Sequence, residues 1–310
     1  MLTFGPIPSR RLGFSLGINN IPMKHCSYSC TYCQVGRTRP LEIHRQRFYT
    51  VEEIVMAVEK KIIESQSKGQ TIDYLSFVPD GEPTLDMNLG KEIDALKPFG
   101  IPIAVICNAT QINDPEVIDA LNKADWVSLK VDSVLEPAWR KINRPHKKID
   151  HAAILEGILA FSQQYPGKLV TETMLIKGIN DNAAHLAPLA EYLNTVKPAI
   201  AYLAIPIRPP AESHVEAPDA ATCQAAYQIV AEKVPTVEAL FDVETEPFVS
   251  TGNLRDDILS ITAVHPLREI PLRKMITKAE GEWEVVEDLL KNKQLKQIHY
   301  RDEVFYLHNQ

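Results

Sequence analysis

No stretch of this sequence approaches the ~20 consecutive apolar residues that a membrane-spanning helix needs. The longest strongly apolar run is about Ala199–Ile207. The first residues, MLTFGPIPSRRLGFSLGI, carry two prolines and a mid-segment Arg10-Arg11, which is not the make-up of a secretory leader. A soluble cytoplasmic protein is therefore expected. An excess of positive charge is missing too. Thirty-three Lys and Arg stand against 40 Asp and Glu, a net charge of −7, which disfavours a protein that coats nucleic acid. Neither G-x-G-x-x-G nor G-x-x-x-x-G-K-[ST] occurs, so the common dinucleotide and phosphate loops are absent. Internal repeats and low-complexity tracts are absent as well. Cysteine is scarce. Five residues are an odd number for a disulfide framework, and 310 residues with 45% hydrophobic content can build a core without one.

What is present alternates. Phe14–Asn20, Asp73–Val78, Ile101–Ile106, Trp126–Val131, Leu169–Ile176 and Ile200–Ile205 read as strands. Helical patterns separate them. Thr50-x-x-Glu53 is a capping box for a helix with Val51, Ile54, Val55, Val58 and Ile62 on its apolar face. Pro79-Asp80-Gly81 marks a turn, and Asp114-Pro115 supplies an N-cap and first-turn proline. Further helices are expected near Pro137–Ile142, Ala152–Phe161, Asn182–Asn194 and Asp219–Glu232. Six βα units in about 250 residues predict a partial (β/α)6 barrel of parallel strands, with a doubly wound sheet as the other arrangement.

After Pro247 the pattern changes, and Thr251-Gly252-Asn253 reads as a boundary between domains at 1–250 and 251–310. Asn253 caps an expected helix over Leu254–Val264, ended by Pro266. A second follows at Pro271–Ala279 with Gly281 as its C-terminal cap, and a third at Glu282–Asn292. Lys296–Tyr300 and Val304–His308 alternate as strands around Arg301-Asp302-Glu303. Three helices and a hairpin are a winged-helix pattern.

The chemistry concentrates at Cys26, Cys30 and Cys33, a C-x3-C-x2-C set directly after the first expected strand; Cys107 and Cys223 stand apart. Thiolates suit iron–sulfur clusters or zinc. A structural zinc site wants four ligands, and no second C-x2-C occurs; His25 could complete four only through a strained loop. Three thiolates on a four-iron cluster leave one iron open to a cofactor or substrate.

This cysteine spacing, with Tyr32 before the last Cys and a six-unit βα chain behind it, resembles the radical S-adenosylmethionine (radical SAM) superfamily over about residues 3–248. GPIPSRRLG at 5–13, DGEPTL at 80–85, KINRPH at 141–146 and KGIND at 177–181 resemble its wyosine-synthetase-like, Obg-GTPase-associated branch, where a similar C-terminal winged helix recurs. The resemblance implies that Cys26, Cys30 and Cys33 hold a four-iron four-sulfur cluster. S-adenosylmethionine (SAM) would chelate the open iron and be cleaved reductively to a 5′-deoxyadenosyl radical. An electron donor such as flavodoxin or ferredoxin is implied. Tyr32 would lie near the adenine. Gly81-Glu82 matches the second half of the superfamily's Gly-Gly-Glu motif, which holds the SAM amino group, with Asp80 in place of the first Gly. Asp132 would meet the ribose, Lys130 or Arg144 the carboxylate, and Asn180 again the ribose. Arg208, after the sixth strand, is placed to meet an anionic substrate or to cap a loop.

The remaining candidates read as structural. His146, His185, Trp126 and Trp139 are expected to pack, and Arg10-Arg11 is assigned no role. Cys107 ends the third expected strand, where barrel sites form. Period two puts it on one face with Val105, and the face is not legible. Facing inward, it could return a hydrogen atom to a substrate radical; facing outward, it fills the core. A small-molecule substrate, such as a sugar or cofactor precursor, is expected first. Peptide or protein modification with the winged segment gripping the substrate is the alternative, as is tRNA. The wyosine-type enzymes carry further cysteines upstream, absent here, and the third C-terminal helix opposes Glu282, Glu284, Glu287 and Asp288 to Lys291 alone.

Overall fold

The computed structural model describes residues 2–78, 80–242, 248, 250, 253–301 and 303–309. One eight-stranded sheet runs in sequence order: β1 (Thr3–Ser9), β2 (Gly13–Ile18), β3 (Tyr74–Phe77), β4 (Ile103–Cys107), β5 (Trp126–Lys130), β6 (Lys168–Met174), β7 (Ile200–Ala204) and β8 (Val237–Leu240). β1 pairs antiparallel with β2, and every later neighbour is parallel. Each parallel step needs a crossover, and the helices α1 (Val51–Ser67), α2 (Leu89–Leu96), α3 (Pro115–Leu121), α4 (Glu136–Asn143), α5 (His151–Ser162), α6 (Ala183–Val196) and α7 (Ala220–Ala231) supply them. The sheet curls into a partial barrel.

Alternation along the strands builds two apolar layers. Val105, Val127, Leu129, Ala201 and Leu203 join the large core shared with Ile54, Ile93, Leu121, Ile158 and Leu189 of the helices. Ala104, Trp126, Val170, Tyr202 and Leu240 form a smaller cluster on the opposite face, inside the curl. Strands buried on both faces read as continuous apolar runs, which is why the six central strands stand out in the sequence. The two edge strands do not. β1 contains Pro6 and Pro8, a bulge between Phe4 and Ile7, and Gly5 at φ +92. An edge tolerates such residues because one side of the strand makes no ladder. β8 is four residues long with an exposed middle.

The expected N-terminal caps of α1 and α3 form. Thr50 Oγ1 accepts from Glu53 N at 3.2 Å, and Thr50 N donates to Glu53 Oε2 at 2.8 Å. Asp114 Oδ1 accepts from Glu116 N at 2.9 Å. Pro79 of the expected turn lies outside the described residues.

The C-terminal segment has its own core. α8 (Leu254–Val264), β9 (Leu267–Arg268), α9 (Glu269–Lys278), α10 (Glu284–Lys291), β10 (Leu295–Tyr300) and β11 (Glu303–His308) follow the winged-helix order, with a three-stranded sheet β10-β11-β9. Ile258, Leu272, Met275, Val286, Leu289 and Tyr306 are buried together. One expectation is corrected. Gly281 does not supply the left-handed residue after α9; Glu280 does, at φ +54. A Cβ at Gly281 would lie 2.6 Å from Leu254 Cδ2, so that side chain would have to shift. Pro247, the boundary at Thr251-Gly252 and Asp302 of the hairpin turn lie outside the described residues.

Candidate active site

A cavity of about 380 Å³ opens at the carboxyl ends of the parallel strands. Cys26, Cys30 and Cys33 form one wall, and Lys130 and Glu172 line it from strands β5 and β6, with Arg11 from the β1–β2 turn. The position is the one that parallel barrels use for chemistry, because loops with freedom to vary meet there.

The cysteine loop leaves β2 and is clamped from two sides. On one side, Lys24 N donates to Asp80 O and Glu82 N to His25 O, both at 2.9 Å. Gly81 sits under that contact. A Cβ at Gly81 would lie 2.0 Å from His25 O, so only glycine permits the approach. On the other side, Ser29 N donates to Asn143 O at 3.0 Å, Thr31 N to Ile142 O at 2.8 Å and His146 N to Ser27 O at 2.9 Å. The end of α4 and the residues after it therefore hold the loop by its backbone.

All three cysteines are free thiols. Each sulfur has a nitrogen donor from a side chain. Asn108 Nδ2 donates to Cys26 Sγ at 3.6 Å, Asn143 Nδ2 to Cys30 Sγ at 3.4 Å, and Lys24 Nζ to Cys33 Sγ at 3.7 Å. Burial pushes the Cys26 thiol well up and the Cys30 thiol up to about 12. A metal replaces the proton when it binds, so burial that opposes a bare thiolate does not oppose a ligated one. Among the described residues, no three His, Cys, Asp or Glu converge on a single-ion site. A cluster, by contrast, spreads its ligands over separate corners. Three soft donors on one clamped loop, open to a cavity, fit a four-iron cluster. His25 does not line that cavity; its ring packs edge-on against Phe48 at 5.1 Å.

Gly81 and Glu82 lie in the cavity wall. Glu82 Oε1 accepts from Thr84 N at 3.1 Å and Thr84 Oγ1 at 2.6 Å, and Oε2 accepts from Asn108 N at 2.7 Å. Burial raises its pKa to about 7, against the lowering effect of those donors, and raises that of Asp80 likewise to about 7.

Tyr32 also lines the cavity. Its hydroxyl donates to Asp132 Oδ2 at 2.6 Å, and Lys130 Nζ stands 5.2 Å from its ring centre. Lys130 is register partner to Glu172 on β6 and pairs with it, and Arg11 pairs with the same carboxylate. Burial alone would raise the pKa of Glu172. Arg11 and Lys130 overcome that and hold it down at about 2. This triad puts two cations and one anion on the strand wall.

Asp132, Arg144 and Asn180 are not brought to the lining. Asp132 is buried, and its oxygens accept from Tyr32, from Asn143 Nδ2 at 2.6 Å and from Met174 N at 2.8 Å. Asn180 donates to Asp132 O at 2.7 Å and to Met174 O at 2.9 Å, and accepts from Ile176 N. Arg144, in the left-handed position after α4, pairs with Glu212, which Arg37 also holds. Arg208 lines the cavity and donates to Gln34 Oε1 at 3.0 Å, while Gln34 Nε2 donates to Val264 O at 2.7 Å. Val264 and His265, at the end of α8, complete the wall. Cys107 packs with Val105 in the helix-side core and reaches the cavity edge near Glu82. Trp126 is buried inside the curl, and Trp139 stacks on His151 with its Nε1 donating to Tyr28 Oη at 2.9 Å.

Sequence reasoning missed Arg11 as a partner, Glu172, Asn108 and Asn143. Glu172 carried one signal: a charged residue inside a strand otherwise buried on both faces. Asn143 lies within the KINRPH segment but bore no distinguishing chemistry of its own.

A curled parallel sheet with three clustered thiols at its carboxyl edge defines a class, and comparison with known proteins gives it a family. Residues 20–188 match the Radical SAM superfamily, more than half of the chain, and the chain belongs to that superfamily. It is 42% identical over 310 residues to a UPF0026 protein of Methanocaldococcus jannaschii, covering 99% of this chain and 96% of that protein. A UPF0026 protein of Helicobacter pylori is 36% identical over 201 residues, 64% of each chain. Among solved structures, a radical SAM methyltransferase from Sphaerobacter thermophilus superposes with a TM-score of 0.57 at 15% identity, over 74% of this chain and 67% of that one. SuiB of Streptococcus suis bound to S-adenosylmethionine gives 0.54 at 12%, over 73% and 50%. At such identities these structures establish the shared fold. Radical SAM proteins as a family use SAM and an iron–sulfur cluster. Among the described residues, no helix is long and apolar enough to cross a membrane.

Proposed function

We propose that this protein is a radical SAM enzyme that modifies a residue of a peptide or protein segment, with Cys26, Cys30 and Cys33 holding its cluster. When bound, a four-iron four-sulfur cluster and SAM supply reductive cleavage to a 5′-deoxyadenosyl radical that abstracts hydrogen. The chain's own residues bind, orient and shield. The three thiols give up their protons to become ligands. Glu82 retains acceptor capacity for an ammonium, since a carboxylate offers about four lone-pair sites. Tyr32, fixed by Asp132, presents a flat face for a base. Lys130 carries a positive charge for a carboxylate while sharing Glu172 with Arg11. Asp132, Asn180 and Arg144 act from behind the lining by fixing Tyr32, Asn143 and the residues after α4. A flavodoxin or ferredoxin is the expected reductant.

The observation that carries the substrate reading is the shared wall. The cavity of about 380 Å³ lies near the low end of the roughly 300–1,000 Å³ typical of ligand pockets. An adenosyl cofactor fills most of such a space, so the substrate reaches in with one group. Its path crosses Val264 and His265 of the C-terminal segment, which we take as a second domain, 251–310, following a barrel of 1–250. That domain carries nine Lys and Arg against ten Asp and Glu, a balance suited to peptide rather than phosphate contact.

The test uses anaerobically reconstituted full-length protein with SAM and dithionite. Release of 5′-deoxyadenosine is compared with a macromolecular fraction and a low-molecular-mass filtrate of the source cells. Stimulation by the macromolecular fraction that survives nuclease and is lost to protease supports the reading. Stimulation by the filtrate, or nuclease-sensitive stimulation, overturns it.

A further inference from the structure

The cysteine loop shows a pattern that ligation alone does not require. Every one of its three sulfurs has a side-chain nitrogen donor, and each donor comes from a different place. Asn108 follows β4, Asn143 ends α4, and Lys24 belongs to the loop itself. Two are neutral amides and one is an ammonium. Each is held by a second bond. Asn108 Nδ2 also donates to Ser27 Oγ at 2.9 Å, Asn143 Nδ2 to Asp132 Oδ2 at 2.6 Å, and Lys24 Nζ to Gly36 O at 2.5 Å. The donors are therefore fixed by the protein rather than drawn in by the sulfurs.

Donors aimed at cluster sulfurs favour the more negative, reduced state, and so raise the reduction potential. The effect is strong where water is excluded, because a buried partial charge is poorly screened. Glu82, Asp80 and Asp132 surround the same loop with carboxylates, which act in the opposite sense.

We propose that Lys24, Asn108 and Asn143 are positioning residues that tune the cluster, setting its reduction potential through one side-chain hydrogen bond to each ligating sulfur, beside the backbone N–H of Tyr28, from which Cys26 Sγ also accepts at 3.5 Å. The proposal rests on the cluster assignment above. Lys24 has the largest share because it alone brings a full charge, and it acts on Cys33. The three thiolates are thus unequal, and the corner at Cys33 carries the most stabilised electron density.

The experiment is a dye-mediated redox titration of anaerobically reconstituted full-length protein, followed by electron paramagnetic resonance of the reduced cluster. Unaltered protein should hold about four irons; failure at that step sinks the cluster assignment, not the tuning. Lys24→Met should lower the ratio of reduced to oxidised cluster about tenfold at fixed ambient potential, about 59 mV for a one-electron couple. Lys24→Arg should restore most of it. Asn143→Leu and Asn108→Leu should each shift the ratio the same way by less. Midpoints unchanged in iron-replete Lys24→Met and Asn143→Leu proteins overturn the proposal. A second measurement needs no variant. On exchange into heavy water, electron–nuclear double resonance of the reduced unaltered protein should lose proton couplings to the cluster and gain deuteron couplings, and an unchanged spectrum also overturns it.

Discussion

The two walls of the cavity are built on opposite electrostatic plans. The cysteine wall is a loop held by backbone hydrogen bonds. Cys26, Cys30, Asp80 and Glu82 are pushed by burial toward their neutral forms, with Cys30 near 12 and Glu82 near 7. The strand wall carries an ion-paired group among apolar residues, and Glu172 is held near 2 by Arg11 and Lys130. Under the proposed function, one wall takes positive charge from outside, as iron or an ammonium. The other is already ion-paired and carries a surplus cation. Under that same function, the loop is the receptor and the strands are its counter-surface.

The comparison can be broken first at the receptor. Cys30→Ala should abolish both iron retention and 5′-deoxyadenosine release, measured by metal analysis and chromatography; full iron and turnover would refute the ligand assignment. On the strand wall, Glu172→Gln leaves Arg11 and Lys130 without their shared anion. Breaking a buried pair costs about 3–5 kcal/mol, read as a lower urea midpoint at pH 7. The pH dependence follows from the sign. The folded pKa of about 2 lies below the ordinary value of 4.5, so this stabilisation is complete above pH ~4.5 and is lost as pH falls toward 2. It amounts to about 3 kcal/mol. Unaltered protein should therefore lose more stability between pH 5 and 3 than Glu172→Gln does; parallel profiles would remove the triad from the account.

Gly81→Ala should come next, at about 1–3 kcal/mol, because its Cβ meets the His25 carbonyl and the loop must move. Slower iron loading with unchanged strand-wall stability is the sharpening result. Cys107→Ala should cost only about 1 kcal/mol, as loss of one small buried group, and leave 5′-deoxyadenosine release intact. Smallest of all is the response to nucleic acid. α10 presents Glu284, Glu287 and Asp288, so the whole protein should show no salt-sensitive duplex binding tighter than about 10⁻⁴ M. Tight, salt-dependent binding in a mobility-shift assay would contradict it.

The receptor wall was legible in the sequence and the strand wall was not. Cys26, Cys30, Cys33, Gly81 and Glu82 lie in short segments whose spacing carries their chemistry, and the cavity collects all five. Arg11 and Glu172 are 161 residues apart and meet only because β1–β2 and β6 share one sheet. The amides at Asn108 and Asn143 likewise reach sulfur through tertiary packing. Asp132 and Asn180 look like ligands in sequence because they are polar residues near strand ends. In the fold their oxygens and amides are spent on neighbouring backbone and side chains. The central strands and capped helices were readable because burial and capping are local. The edge strands were not, since β1 uses prolines where only an edge allows them.

The clamp on the cysteine loop has a consequence for synthesis. Its second jaw is the end of α4 and the residues up to His146. On the ribosome, Cys33 is made 113 residues before that jaw, since 146 − 33 = 113. At about 5–20 residues per second, the loop waits roughly 6 to 23 s for this second jaw, while Asp80 and Glu82 of the first jaw are made earlier. Until that jaw is made, the loop has only one of the two sets of backbone hydrogen bonds that hold it, so its final shape is reached only after α4 has been synthesised.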